Sequence, residues 1–118
     1  MFTFERLEVW QKAIGFADLV YNHTRHFPPD ERFGLTNQMR RAAVSISSNI
    51  AEGTSRMSQT DFARFIEIAT RSVFEVVSQA FIGRRQGFLT EESFAELYSA
   101  ADEIGRMLSR LRKSLGLA

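Results

Sequence analysis

The stretch FAELYSAADEIGRMLSRLRKSL (residues 94–115) decides the fold. Its apolar residues recur at intervals of three and four, which places them along one side of an α-helix and predicts packing nearly parallel or antiparallel to a partner helix. Thr90 is a suitable N-cap, and the acids and bases at the two ends of the segment suit the helix dipole. The apolar line consists of Phe94, Leu97, Ala101, Ile104, Leu108, Leu111 and Leu115.

Three further segments show helical spacing, and no segment shows the alternation typical of a strand. The first segment carries two apolar lines side by side and is stopped by Pro28 and Pro29. The second is predicted from about Gly34 to Glu52, with Gly53 as a left-handed C-terminal stop. The third begins at Ser58 and runs to about residue 86. Helices of roughly 20 to 28 residues joined by short connections predict an all-α, antiparallel up-down-up-down four-helix bundle.

Length and composition bound the class of protein. A chain of 118 residues suits a single domain, here 1–118. The absence of cysteine excludes a disulfide framework and a thiolate metal site, and it fits a reducing compartment. The start does not resemble a signal peptide, and no apolar run reaches the length of a membrane span. We therefore expect a cytoplasmic protein without membrane contact.

The sequence offers no chemistry for an enzyme. Its two histidines, His23 and His26, lie three residues apart, but no third metal ligand is implied, and a solvated helix end is the better interpretation. There is no nucleophile with a base, no glycine-rich phosphate loop and no nucleotide fingerprint. We predict no catalytic residues, no cofactor and no metal site.

Helix two carries an unusual polar face in the stretch RRAAVSISSNIAEG (residues 40–53). At 3.6 residues per turn Ser45, Asn49 and Glu52 share a face opposite the apolar line. Small side chains there would let another backbone or a flat ligand approach closely. Three uses are open: solvation, packing against another helix or subunit, and presentation of Arg40 and Arg41 to phosphates.

Helix three has a second apolar line that includes Phe74 and Phe81. Either both lines of this helix face neighbours inside the bundle, or these two side chains, with Phe88 beyond, lie partly outside it and bury against another copy of the chain. Burial of aromatic side chains would favour association strongly. The candidate oligomer interface consists of Ser45, Asn49, Glu52, Phe74 and Phe81.

Arginine supplies 13 of the 15 basic residues and occurs in local clusters, although the net charge is only +1. In an antiparallel bundle the pairs Arg40–Arg41 and Arg84–Arg85 lie at one end, with the C-terminal cluster at the other. The first end is the better candidate for RNA or DNA, which would be bound with strong salt dependence and little sequence preference. The alternative is that these arginines pair with acids or solvate helix ends.

The chain resembles the 23S rRNA intervening-sequence proteins, four-helix bundles encoded within intervening sequences of bacterial large-subunit ribosomal RNA genes. The matching stretches are LEVWQKA (7–13), FP (27–28), ERFGLTNQMRRAAVSISSNIAEG (31–53), TDFARFIEIA (60–69) and SVFE (72–75). Arg71 departs from the family, which usually has glycine before that serine.

The resemblance implies a ring, usually of five subunits, and no enzymatic activity. It also implies kinship with the accessory protein that works beside reverse transcriptase in diversity-generating retroelements and associates with RNA, DNA and the polymerase through basic surfaces. We therefore expect a self-associating bundle, a pentamer by resemblance, that accompanies a nucleic acid or a nucleic-acid enzyme. The alternative is a protein interaction module or scaffold without nucleic-acid contact.

Overall fold

The computed structural model describes residues 1–116 and contains four α-helices. Short 3-10 turns cover Thr3–Arg6 and Pro29–Glu31, and no strand occurs in the described part of the chain. The predicted all-α class with four helices is confirmed, in a particle measuring 43 × 23 × 20 Å. The helices are α1 (Glu8–Thr24), α2 (Leu35–Thr54), α3 (Gln59–Arg85) and α4 (Glu91–Ser114).

Contacts between neighbouring helices run in opposite sequence directions, which makes the bundle antiparallel. Gly53 near the end of α2 lies against Phe62 at the start of α3, and in mid-helix Ser72 donates a hydrogen bond to Ser45. In cross-section the four helices lie at the corners of a square, because α1 packs on α2 and α4, and α3 packs on the same two helices. Further hydrogen bonds and ion pairs between neighbouring helices join Thr24 to Arg40, Lys12 to Glu103, His23 to Glu96, Glu67 to Arg112 and Arg84 to Glu91.

The core is built from the apolar lines that the sequence predicts. The line of α4 is buried from Phe94 to Leu108, and only one of the two lines of α1 is fully buried. The second line of α1 lies at the edge of the bundle, where Ile14 and Tyr21 stay exposed. With 17 residues, α1 is shorter than expected, because it ends at Thr24, well before Pro28. The most deeply buried large side chains are Met39, Ile46, Ile50, Ile66, Leu97, Ile104 and Leu108.

The helix ends show which local predictions hold. Ser58 accepts a hydrogen bond from the Asp61 N–H, and Thr90 accepts one from the Ser93 N–H, so both predicted N-caps are confirmed. After α3, Gly87 adopts a φ of 79° and the next N–H reaches back to the Gly83 carbonyl. This turn brings Phe88 against Phe27, with ring centroids 5.5 Å apart. Phe88 is therefore partly buried at the end of the bundle, unlike in the second interpretation of helix three, which places it outside with Phe74 and Phe81.

The prediction that Gly53 stops α2 in a left-handed conformation is wrong. The helix continues to Thr54, and among residues 1–116 only Gly87 and Gly116 have positive φ. The reason for glycine is space: a Cβ on Gly53 would lie 2.7 Å from Phe62 Cδ1 and 3.1 Å from Phe65 Cβ. Gly53 therefore permits close packing of α2 on α3.

We expect Gly53→Ala to destabilise the protein by about 1–3 kcal/mol, because the added methyl overpacks the contact with α3 by more than the gain in helix propensity. Gly15→Ala is the matched control, because a Cβ there would meet no atom within 4 Å. That substitution should stabilise the protein by about 0.5–1 kcal/mol. Urea unfolding monitored by circular dichroism measures both, and equal stabilisation by the two alanines would contradict the packing role of Gly53.

Candidate association and nucleic-acid surfaces

An open apolar groove runs along the outside of α3 and α4. Phe74 and Phe81 from α3 and Tyr98 from α4 form its walls, and Val77 and Gly105 contribute to its lining. Its volume is about 790 Å³. The three aromatic side chains are 72, 40 and 48% exposed, respectively. We call this surface the aromatic groove.

The aromatic groove is preformed by the packing beneath it. Phe81 contacts the buried Phe94 edge-on, with ring centroids 4.8 Å apart, and Tyr98 packs on the same ring at 5.8 Å. Gly105 leaves the groove open, because a Cβ at that position would meet nothing within 4 Å. The groove therefore presents an ordered aromatic surface that a single chain leaves in water.

Phe74 and Phe81 lie partly outside the bundle, as the second interpretation of helix three predicts. The other three predicted interface residues lie elsewhere. Ser45 accepts the Ser72 hydroxyl at 2.9 Å and faces α3, while the Asn49 amide donates to Ser45 O at 2.8 Å. Glu52 is exposed on α2. The structure thus does not bring the two halves of the predicted interface together in one chain, and burial against another copy stays a prediction for all five.

Two of the four predicted phosphate-binding arginines are engaged within the bundle. Arg40 donates through Nε to Thr24 Oγ1 at 2.9 Å, and its guanidinium lies over the Tyr21 ring at 4.6 Å. Arg84 lies over the Phe94 ring at 3.9 Å and pairs with Glu91 at 3.5 Å. These contacts give Arg40 and Arg84 structural roles in joining α2 to α1 and α3 to α4.

The other two, Arg41 and Arg85, are exposed and form no ion pair within residues 1–116. Both lie toward the same end, because the start of α2 adjoins the end of α3, where Gln38 and Gln86 line a common cleft. Arg41 lines a second cleft together with Tyr21 of α1. Phosphate binding by any of the four arginines stays a prediction.

Sequence reasoning missed two further arginines at this end. Arg25 follows the last turn of α1, and Arg32 lies in the loop before α2; both are exposed and form no ion pair in the described part of the chain. Each of the two is isolated from other arginines and lysines in the sequence, so neither belongs to the clusters that the sequence analysis identified. We call the four exposed arginines, Arg25, Arg32, Arg41 and Arg85, the basic end.

Several acids near the basic end are already engaged. Glu31 accepts the Leu35 N–H at 3.0 Å. Glu96 binds His23 at 2.5 Å, and Glu91 pairs with Arg84. Glu91 and Glu96 are therefore occupied by partners within the bundle, while Asp30 and Glu92 at the same end are exposed and form no ion pair within residues 1–116.

A second exposed apolar surface lies between α1 and α2. Ile14, Tyr21 and Val44 are each close to 40% exposed, at 39, 40 and 41%. Ile14 and Tyr21 belong to the second apolar line of α1, whereas the sequence analysis did not identify Val44. We call these three residues the α1–α2 strip.

The histidines do not share a site. His23 binds Glu96 of α4 instead of solvating the helix end, and His26 is exposed. Within residues 1–116 no group of three or more His, Cys, Asp or Glu side chains could hold a metal ion. None of the four helices is both long and apolar enough to cross a membrane.

The family model that matches the chain is described as 23S rRNA-intervening sequence protein, and it matches residues 5–110. This range includes almost all of the four helices. The chain belongs to this family. Family membership confirms the resemblance that the sequence analysis found. The matched residues 5–110 also contain all the residues of the aromatic groove, the α1–α2 strip and the basic end.

A solved structure shows the same fold. It is a crystal structure of a protein with unknown function from the S23 ribosomal protein family of Bacteroides thetaiotaomicron, with a TM-score of 0.80 and 24% sequence identity. The match covers 89% of this chain and 98% of that one. No curated protein gave a significant match. The similarity supports the bundle architecture of this 23S rRNA-intervening sequence protein.

Proposed function

We propose that this member of the 23S rRNA-intervening sequence family is a non-enzymatic, self-associating bundle that serves as an accessory protein bound to nucleic acid. The observation that carries the proposal is the aromatic groove. The core of the bundle is already closed without Phe74, Phe81 and Tyr98, so their exposure contributes nothing to folding of the single chain. Exposed aromatic patches of this kind are typical of surfaces that bind other proteins.

Association through the groove is favoured by the amount of aromatic surface available. Complete burial of a large apolar side chain contributes about 1.5–3 kcal/mol. Phe74 is 72% exposed and Tyr98 is 48% exposed. Burial of these side chains against another subunit would therefore favour association. We propose a homo-oligomer, and the family resemblance favours a pentamer.

The nucleic-acid part of the proposal rests on the basic end. Arginine forms bidentate contacts with phosphate, and the four arginines of the basic end form no ion pair within residues 1–116 that phosphate binding would have to break. A multimer repeats Arg25, Arg32, Arg41 and Arg85 once in each subunit and so extends a weak charge into a larger footprint. No base-reading arrangement is required, so RNA and DNA are both suitable partners. We place this activity in the cytoplasm.

Sedimentation velocity of the unmodified chain at micromolar concentration tests self-association. We expect a particle several times the subunit mass of 13.5 kDa that dissociates on dilution. A species of 13.5 kDa over the whole concentration range would contradict the proposal.

A protein interaction module without nucleic-acid contact is the second candidate, and the shape of the groove favours it. An apolar groove between two helices can accept the apolar face of a third helix from another protein. A monomer that binds neither RNA nor DNA at low salt would support this alternative over the first.

A further inference from the structure

The aromatic groove and the α1–α2 strip lie on opposite sides of the bundle. The groove is formed by α3 and α4, whereas the strip is formed by α1 and α2, and these two helix pairs are opposite edges of the square. One subunit therefore carries two separate apolar surfaces of different shape. Association can pair each surface with its own kind or with the other.

The two surfaces also lie at similar heights along the bundle. Val44 of the strip precedes Ser45, whose hydroxyl accepts from Ser72, and Ser72 lies two residues before Phe74 of the groove. With a rise of about 1.5 Å per residue, Val44 and Phe74 are within about one helical turn of each other along the long axis. Two subunits can thus stand side by side with the strip of one facing the groove of the next.

The groove would bury no unpaired charge at its centre, whereas Arg41 lies in the same cleft as Tyr21 and Val44 of the strip and has no ion pair within residues 1–116. Arg106 at the groove pairs with Asp102 at 3.0 Å, and Arg40 beside the strip is held by Thr24 and Tyr21. An uncompensated buried ion is the main penalty that would prevent such docking. The groove avoids it, and the strip avoids it when the exposed Arg41 side chain stays in water at the rim of the contact.

The sizes are suitable for a stable contact. The exposed parts of Phe74, Phe81 and Tyr98 amount to roughly 300 Å² of aromatic surface, taking 150–250 Å² for each complete side chain. A stable interface buries about 800 Å² on each partner, with more than half of it apolar. The groove therefore supplies the apolar centre of such an interface, and the surrounding polar side chains supply its rim.

We infer that the α1–α2 strip of one copy docks in the aromatic groove of the next, in a head-to-tail contact. This inference rests on the proposed self-association and adds the pair of surfaces that makes it. A two-fold contact of groove with groove would leave every strip in water, whereas head-to-tail docking covers both surfaces in all subunits that have two neighbours. A contact between unlike surfaces closes into a ring or extends into a filament.

Two glutamate variants test the pairing by complementation. Phe74→Glu places a charge in the groove and leaves the strip intact, and Val44→Glu does the reverse. Both positions are exposed, so each variant is expected to fold, with an unchanged helical circular dichroism spectrum. Each variant alone should sediment as a monomer. An equimolar mixture should form a heterodimer of twice the subunit mass, because one intact strip and one intact groove remain between the two chains.

The outcomes separate this inference from the proposed function. Ser99→Glu, an exposed change outside both surfaces, should assemble like the unmodified chain. If Val44→Glu alone assembles like the unmodified chain, or if the two folded variants remain monomeric when mixed, the head-to-tail pairing is wrong while self-association stands. If the unmodified chain is itself a monomer, the proposed function fails together with the pairing.

Discussion

Replacing both Arg41 and Arg85 with glutamine is expected to weaken binding to random-sequence RNA and to duplex DNA by about 100-fold at low salt. Each charged hydrogen bond to phosphate contributes roughly 1.5–3 kcal/mol, and the loss of two at the lower end of that range, about 3 kcal/mol, corresponds to about this factor. The structure selects these two of the four predicted arginines, because Arg40 and Arg84 are already engaged with aromatic rings and neighbouring helices. Filter binding across a salt series measures both the affinity and its salt dependence.

The matched control removes the same charge from the other end of the bundle. Arg110 and Lys113 are exposed in the last turns of α4 and form no ion pair within residues 1–116. Their double glutamine variant has the same net charge as the first and should bind nearly as well as the unmodified chain. The slope of log affinity against log salt should become shallower by about one for each phosphate that the protein no longer binds, and only in the Arg41/Arg85 variant. Equal weakening in the two variants would show that binding depends on the net charge of the protein and not on the position of the basic end.

Ile46→Ala is expected to cost about 2–5 kcal/mol of folding free energy, the largest stability effect among the changes considered. Ile46 lies at the middle of α2 with no exposed surface, where neighbouring side chains cannot collapse fully into the space left behind. For a domain of this size the midpoint of thermal unfolding should fall by roughly 10–20 °C.

Ile82→Ala removes the same atoms from a side chain that is half exposed on α3. It should change stability by only about 0.5 kcal/mol, because little apolar surface is removed from the interior. Thermal unfolding at a single protein concentration compares the two variants. Similar midpoints for both would contradict the assignment of the α2 line to the core.

The sequence predicts the bundle well because helix-period patterning is a local property. The line from Phe94 to Leu108 is buried as predicted, and the caps at Ser58 and Thr90 depend only on side chains within one turn. Gly53 shows where this reasoning stops. A glycine near a helix end fits a left-handed stop, and only the approach of Phe62 from another helix reveals its packing role.

The candidate surfaces were predicted less completely, because they depend on which sides of the bundle adjoin in space. Phe74 and Phe81 were identified from a second apolar line on their own helix, but Tyr98, on the facing helix, was not. The polar face of helix two left solvation, packing on another helix or subunit, and phosphate binding open, and the structure shows that Ser45 meets Ser72 of α3 in the same chain. The arginine pairs were correctly placed toward one end, yet the sequence could not show that Arg40 and Arg84 have internal partners.

The central claim is that Phe74 is covered by another copy of the chain in solution, and radical footprinting read out by mass spectrometry tests it directly. Phe33, which is 84% exposed in the loop before α2 and belongs to neither apolar surface, provides an internal reference on the same molecule. We predict that labelling of Phe74 falls relative to Phe33 as the protein is concentrated from its monomeric to its assembled range. Labelling of Phe74 in constant proportion to Phe33 at every concentration would contradict the claim.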